Sequence, residues 1–265
     1  MAELQHKLEQ LLEPILTQLP EELSQHLRGP VPLALLLAAL LLLLWGLVRS
    51  LFGTKRGNIV LLVGPCNSGK TSVFLQLRDG TTHSGTVASM QENVDAVLLR
   101  SDKSVPPKSV QLVDIPGHPR VRSKFEQYVD RASCIVFLVD SVDFMPQKTD
   151  VAEQLYEVLA NATVRKRRLP VLLACNKADM GPKAHTVEFI RKRLEKEIDQ
   201  LRSTRNAMGD GTRVSSEKDL LRDASEPFSF DALVKSKGPK VSSASLSAAA
   251  PDTVELERFI RRHTP

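Results

Sequence analysis

The sequence predicts an α/β domain, built on a mainly parallel sheet with helices on both faces and preceded by one N-terminal transmembrane helix. Three observations predict it. From residue 58 onward, short apolar runs alternate with stretches whose apolar residues fall at helical spacing. A glycine-bracketed loop joins the first apolar run to the first helical stretch, and residues 29–48 carry no charge at all.

The N-terminal region is read first. Residues 1–28 place Leu4, Leu8, Leu11, Leu12, Ile15, Leu16 and Leu19 on one stripe that Pro14 would kink, which reads as an amphipathic lumenal segment without chemistry. Residues 29–49 follow as a transmembrane helix. Leu33 to Leu44 consists of only Leu and Ala, and a helix of this length matches a hydrocarbon core of about 30 Å. The apolar core is too long and starts too late for a cleaved signal peptide. Arg49, Lys55 and Arg56 lie after the span, while Glu3, Glu9, Glu13, Glu21 and Glu22 outnumber Lys7 and Arg28 before it, so the following domain is expected in the cytosol. Trp45 suits the interfacial aromatic belt. Residues 50–57 read as a linker and 58–265 as the cytosolic domain, with a polar loop inserted at 204–226.

Charge and cysteine usage narrow the function classes. A formal charge of +5 and a pI near 9.1 suit either nucleic acid or an anionic membrane surface. No alternation of aromatic and basic residues accompanies the charge, which favours the membrane and argues against direct sequence-specific nucleic acid binding. Cys66, Cys134 and Cys175 show neither metal-ligand spacing nor an even-numbered framework, and read as reduced thiols.

Within the domain, Ile59 to Val63 reads as the first strand. Val97 to Arg100 and Val110 to Val113 read as a pair of extended segments, and Cys134 to Val139 and Val171 to Cys175 as buried parallel strands. Ser72 to Leu77, Val151 to Val164 and Thr186 to Leu201 supply the helices. In such an alternation ligands bind at the C-terminal ends of the strands.

The loop Gly64-Pro-Cys-Asn-Ser-Gly-Lys-Thr71 occupies one such end. Gly64 and Gly69 bracket a turn whose backbone must approach an anion more closely than a Cβ allows, so that the peptide N–H groups of the loop, Asn67 and Ser68 among them, point inward at phosphate. Lys70 is spaced to reach the β- and γ-phosphates and Thr71 to offer a hydroxyl to Mg²⁺, while Ser72 opens the helix whose positive N-terminus lies behind the phosphates. Two further motifs follow strands. Asp114-Ile-Pro-Gly117 provides a carboxylate that reaches Mg²⁺ through water and a Gly117 N–H for the γ-phosphate, which makes the segment beyond it a nucleotide switch. Asn176-Lys-Ala-Asp179 provides a carboxylate at Asp179 that matches the two donors on the guanine edge. Lys177 lies along the base, and Asn176 bonds the base and braces the phosphate loop. Alone, Asp-Xaa-Xaa-Gly is an ordinary turn and Asn-Lys-Xaa-Asp a helix cap. Together, in this order and at strand ends, the motifs imply GTP with Mg²⁺.

Three assignments rest on less. The first switch is placed at 80–93, with Thr86 chosen over Thr81, Thr82 and Ser89 to complete the Mg²⁺ shell. Val241 to Ser245 reads either as a last strand leading to a Ser243-Ala244-Ser245 guanine loop, with the Ala244 region meeting guanine O6, or as a disordered Ser/Ala-rich connection. Arg165 to Arg168 reads as a solvated helix end.

With these residues in place the sequence resembles the P-loop small GTPases of the ADP-ribosylation-factor and Ras type, and most closely the signal recognition particle receptor beta-subunit family. The resemblance runs from about Asn58 to the C-terminus. It rests on the span before the domain, Leu61-Leu-Val-Gly64 leading into Asn67-Ser-Gly-Lys-Thr71, Asp114-Ile-Pro-Gly-His118, Ile135-Val-Phe-Leu-Val-Asp-Ser141 and Ala174-Cys-Asn-Lys177. It implies a P-loop small-GTPase fold in the endoplasmic reticulum membrane that holds the receptor's alpha subunit as a heterodimer, and acts indirectly with ribosome and translocon. It also implies that His118, where Ras-type enzymes carry a water-orienting Gln, is the catalytic position, and that hydrolysis is slow or partner-dependent. Ser245 departs from the usual Lys of the last loop. Two other readings stand beside this one: a GTP-bound scaffold without meaningful turnover and a vesicle-traffic GTPase. Ala2 after Met1 removes the myristoylation signal that many coat-recruiting relatives use, and a spanning helix cannot leave the membrane.

Overall fold

The computed structural model describes residues 38, 40–46, 57–81, 91–99, 106–117, 124–207, 227–250 and 252–265. The chain divides into two compact units, Met1–Lys55 and Arg56–Pro265. In the first, residues 40–46 are helical and the side chains from Leu40 to Trp45 are 49–72% exposed. Among the described residues no helix is long and apolar enough to cross a membrane. Most of the expected span at 29–49, the segment 1–28, Thr86, His118 and residues 208–226 of the polar insertion lie outside the described residues.

Among the described residues the second unit forms a sheet of six strands. They are β1 (Ile59–Val63), β2 (Asn93–Leu99), β3 (Lys108–Asp114), β4 (Ala132–Asp140), β5 (Val171–Asn176) and β6 (Val241–Ser245), in the order β2-β3-β1-β4-β5-β6. Every pairing is parallel except β2 with β3, where Asn93 lies opposite Asp114 and Leu99 opposite Lys108. The helices are α1 (Lys70–Asp79), α2 (Lys124–Val129), α3 (Phe144–Ala160), α4 (Ala162–Arg167), α5 (Val187–Ala207), α6 (Phe230–Lys235) and α7 (Val254–His263).

Alternation along the strands builds two cores, because successive side chains leave opposite faces of the sheet. Ile59 and Leu61 of β1 join Val113, Ile135, Phe137 and Val139 under α2 to α6, whereas Val60 and Leu62 join Leu112, Val136 and Leu138 under α1 and α7. All nine residues of β4 are buried, as a central strand covered on both faces requires.

The elements differ from the sequence reading at several places, β2 starting at Asn93 and not Val97 and β3 spanning Lys108–Asp114. The helix expected over 151–164 starts earlier, at Phe144, since Pro146 falls in the first turn where its missing N–H leaves no bond unmade. It also breaks at Asn161, whose side chain accepts from the N–H groups of Thr163 and Val164 and so caps α4. The polar insertion begins later than expected, because residues 204–207 complete α5. Finally, α2, α6 and α7 have no counterpart in the sequence reading. α7 follows a Ser/Ala-rich stretch that masks its onset, yet Leu256, Phe259 and Ile260 sit at helical spacing and close the second core. Arg261 fixes this helix to the sheet by donating to the carbonyls of Leu99 (2.6 Å) and Pro106 (3.0 Å).

Ile260 is fully buried in that core. Ile260→Ala is therefore expected to cost about 2–5 kcal/mol in urea unfolding. A loss below about 1 kcal/mol would mean that α7 is not part of the folded unit.

Candidate nucleotide-binding site

The site is assembled where β1, β3, β4, β5 and β6 end. After β1 the chain turns through the glycine-bracketed loop into α1. Gly64 takes φ +143° and Gly69 φ +85°; a Cβ would lie 2.3 Å from the Leu138 carbonyl oxygen at the first and 2.1 Å from Asn176 Nδ2 at the second. Both positions therefore need glycine. Asn67 adopts φ +62°, a conformation that asparagine accepts more readily than most side chains. The loop is tied internally, since Ser68 Oγ donates to the Pro65 carbonyl (2.9 Å) and Lys70 Nζ donates to the same oxygen (2.7 Å). Lys70 is 6% exposed, and burial pulls its pKa below the ordinary lysine value, against the opposing pull of Asp114 and Cys66. Ser72 stands at the start of α1.

Asp114 ends β3 fully buried. Its Oδ2 accepts from the Thr71 hydroxyl (2.7 Å) and from the Asn93 amide (3.1 Å), and its Oδ1 is buried without a hydrogen-bond partner among the described residues. An unsatisfied carboxylate oxygen beside a threonine hydroxyl fits a hydrated divalent cation, which would satisfy the orphan acceptor. Gly117 lies directly on the phosphate loop, where a Cβ would come within 2.6 Å of Cys66 N and 2.7 Å of the Gly64 carbonyl oxygen.

The base side is built from β4, β5 and the turn after β6. Asn176 is 1% exposed; its Nδ2 donates to the Ser68 carbonyl (2.8 Å) and its Oδ1 accepts from the Ala248 N–H (3.0 Å). Lys177, at φ +65°, pairs its ammonium with Asp140 at the end of β4, and Asp140 also accepts from the Val142 N–H (2.9 Å). Asp179 projects from a 3₁₀ turn and accepts from the Ser247 hydroxyl, while the Ala250 N–H donates to that same hydroxyl oxygen (3.0 Å).

Known proteins are similar to this chain in sequence and in fold. The family model for the signal recognition particle receptor beta subunit matches residues 55–237. The chain belongs to this family. The human signal recognition particle receptor subunit beta is 38% identical over 200 residues, covering 74% of this chain and 70% of that protein, and the Saccharomyces cerevisiae subunit is 28% identical over 72% and 75% respectively. Among solved structures, a chain of the mammalian SRP receptor superposes with a TM-score of 0.65 at 30% identity, covering 78% of this chain and all of that one. The small GTPase Arl6 of Trypanosoma brucei, solved with the analogue GppNp, superposes at a TM-score of 0.51 and 18% identity, a likeness of fold alone. The fold is thus that of the α/β small GTPases.

The structure brings together Gly64, Asn67, Ser68, Gly69, Lys70, Thr71, Ser72, Asp114, Gly117, Asn176, Lys177 and Asp179 at one end of the sheet. Ala244 is a correction. It lies inside β6 opposite Ala174, with its side chain against the second core, so the turn at the site is Ser247-Ala248-Ala249 and not Ser243-Ala244-Ser245. Two similar Ser-Ala pairs stand four residues apart, and only the strand register distinguishes them. The sequence reading includes Asp140 in the run Ile135 to Ser141 and Asn93 at the end of the first switch, but gives neither a role in the site. Asp140 closes an apolar run and was open to notice, whereas nothing local marks Asn93, whose place opposite Asp114 comes from antiparallel pairing.

Gly69→Ala is expected to cost about 2–4 kcal/mol in chemical unfolding, because its Cβ would overlap the Asn176 amide on a backbone already at positive φ. A neutral substitution would contradict the close packing of the two loops.

Proposed function

We propose that this chain is the membrane-anchored GTP-binding subunit of the signal recognition particle receptor, holding the receptor's alpha subunit at the endoplasmic reticulum through a domain that faces the cytosol. The single observation that carries the nucleotide part is the pairing of two loops through Asn176, with Asp179 held by Ser247 at the edge a purine would meet. A carboxylate at that edge accepts from both N1–H and N2–H₂ of guanine and finds no such donors on adenine. Thr71 and Asp114 are the residues that would hold Mg²⁺, which would supply positive charge to offset that of the phosphates. Thr86 is our candidate for the remaining hydroxyl.

The chain's own residues divide the work. The loop N–H groups and Lys70 neutralise the phosphates, and the buried ammonium already lies within the loop, so binding requires little rearrangement of it. Gly117, in contact with the phosphate loop, senses the γ-phosphate and passes its presence to the segment that follows. His118 begins that segment and is assigned the role of orienting the attacking water, with slow turnover until a partner orders it. An alpha subunit that recognises the ordered switch gains affinity only in the GTP state, which is what a nucleotide-gated heterodimer needs. A spanning helix at 29–49 supplies the anchor. The exposed leucines at 40–44 suit lipid contact.

Asp179→Asn tests the reading. The amide cannot accept both guanine donors but can donate to the xanthine oxygen, so competition binding is expected to show GTP affinity reduced by about a hundredfold or more and a gain for xanthosine triphosphate. Unchanged preference for GTP would remove Asp179 from the base site.

A further inference from the structure

At the end of the sheet opposite the nucleotide loops, we propose, the domain carries a basic face that binds anionic lipid headgroups. The parallel strands all begin at this end, and the residues that lead into them are basic. Arg131 precedes β4, Lys166 and the cap residue Arg168 close α4 ahead of β5, Lys235 ends α6, and Lys237 and Lys240 lie between α6 and β6; all six are exposed.

Backbone bonds bring these segments side by side. The Val171 N–H donates to the Lys240 carbonyl (2.9 Å), the Ile135 N–H to the Pro170 carbonyl (3.0 Å), and Arg167 reaches the Asp130 carbonyl (2.6 Å). Among the described residues two carboxylates beside these segments have partners: Asp130 accepts from the Thr163 hydroxyl, and Asp231, a turn back along α6, pairs with Arg191. Favourable placement of cations at helix C-termini explains Lys166 and Lys235. It does not explain Arg131, Lys237 or Lys240, which lie outside the helices.

The chain enters the domain at this same place. Gly57 packs so tightly on the backbone of Arg131 that a Cβ would fall 1.5 Å from its carbonyl oxygen. Only the eight residues 49–56 separate Gly57 from the uncharged stretch ending at Val48, a reach of at most about 30 Å. The proposal rests on the reading of 29–49 as a spanning helix. Given that anchor, the basic face lies within reach of the headgroups, where each Lys or Arg adds to attraction by an anionic leaflet.

The test uses residues 56–265, a compact unit that contains the whole sheet and both cores. The fragment is expected to float with vesicles of phosphatidylcholine and phosphatidylserine, to remain behind with phosphatidylcholine alone, and to be released by salt. Lys166→Glu, Lys235→Glu and Lys240→Glu combined should weaken flotation by on the order of a hundredfold while leaving GTP affinity unchanged. For a reversal that fails to fold, the Gln versions of the same three sites, each removing one charge, should weaken it by about tenfold or more. Equal binding to both vesicle types, or by the variants, would overturn the proposal. Tighter binding of a homopolymer RNA than of the anionic vesicles at the same salt would overturn it too, assigning the face to nucleic acid. Release of the full chain from membranes by alkaline wash would sink the spanning helix instead, a result separable from flotation of the fragment.

Discussion

Asn176 commits both halves of its buried side-chain amide to backbone groups of other loops: the carbonyl of Ser68 in the phosphate loop and the N–H of Ala248 in the turn after β6. Three segments distant in sequence are thereby held in one register at the ends of neighbouring strands. Gly69 is glycine because this amide occupies the space where its Cβ would project. Asp179, three residues on, is set beside Ser247 by the same turn. A buried amide with both functions satisfied stabilises the arrangement; one with either partner removed leaves a desolvated polar group.

The sheet makes this constraint possible. Parallel strands send their C-terminal ends in one direction, so four apolar runs with different tails deliver a phosphate loop, a carboxylate, an ion pair and an asparagine to one surface. Burial on both faces holds those ends rigidly, since β4 is wholly enclosed and β1 divides its side chains between the two cores. The opposite end gathers the strand starts, the entry of the chain and a run of cations, so the domain has two chemically distinct poles.

Much of this was legible because each motif residue sits next to an apolar run that announces a strand. Lys70, Asp114 and Asn176 could be placed by spacing alone, as loops at strand ends. What escaped depended on pairing across the sheet. Asn93 acquires meaning only once β2 folds back antiparallel on β3 and sets it opposite Asp114. Ala244 was mistaken for the turn residue because Ser-Ala recurs at 247–248, and the choice is made by the hydrogen bonds that extend β6 beside β5 through Leu246. α7 was hidden by the low-complexity stretch before it, although its own apolar spacing was sound.

We propose that one buried side chain, Asn176, couples phosphate recognition to base recognition. The most direct measurement is the GTP dissociation constant of Asn176→Ala in the intact chain, taken with the melting temperature of the unliganded protein and with the affinity for inorganic pyrophosphate. Losing two hydrogen bonds to buried backbone groups is expected to weaken GTP by roughly a hundredfold and to weaken pyrophosphate as well, because the phosphate loop loses its brace. A variant that binds both ligands as the parent does, with only its melting temperature lowered, would show that Asn176 supports the fold without coupling the two halves of the site.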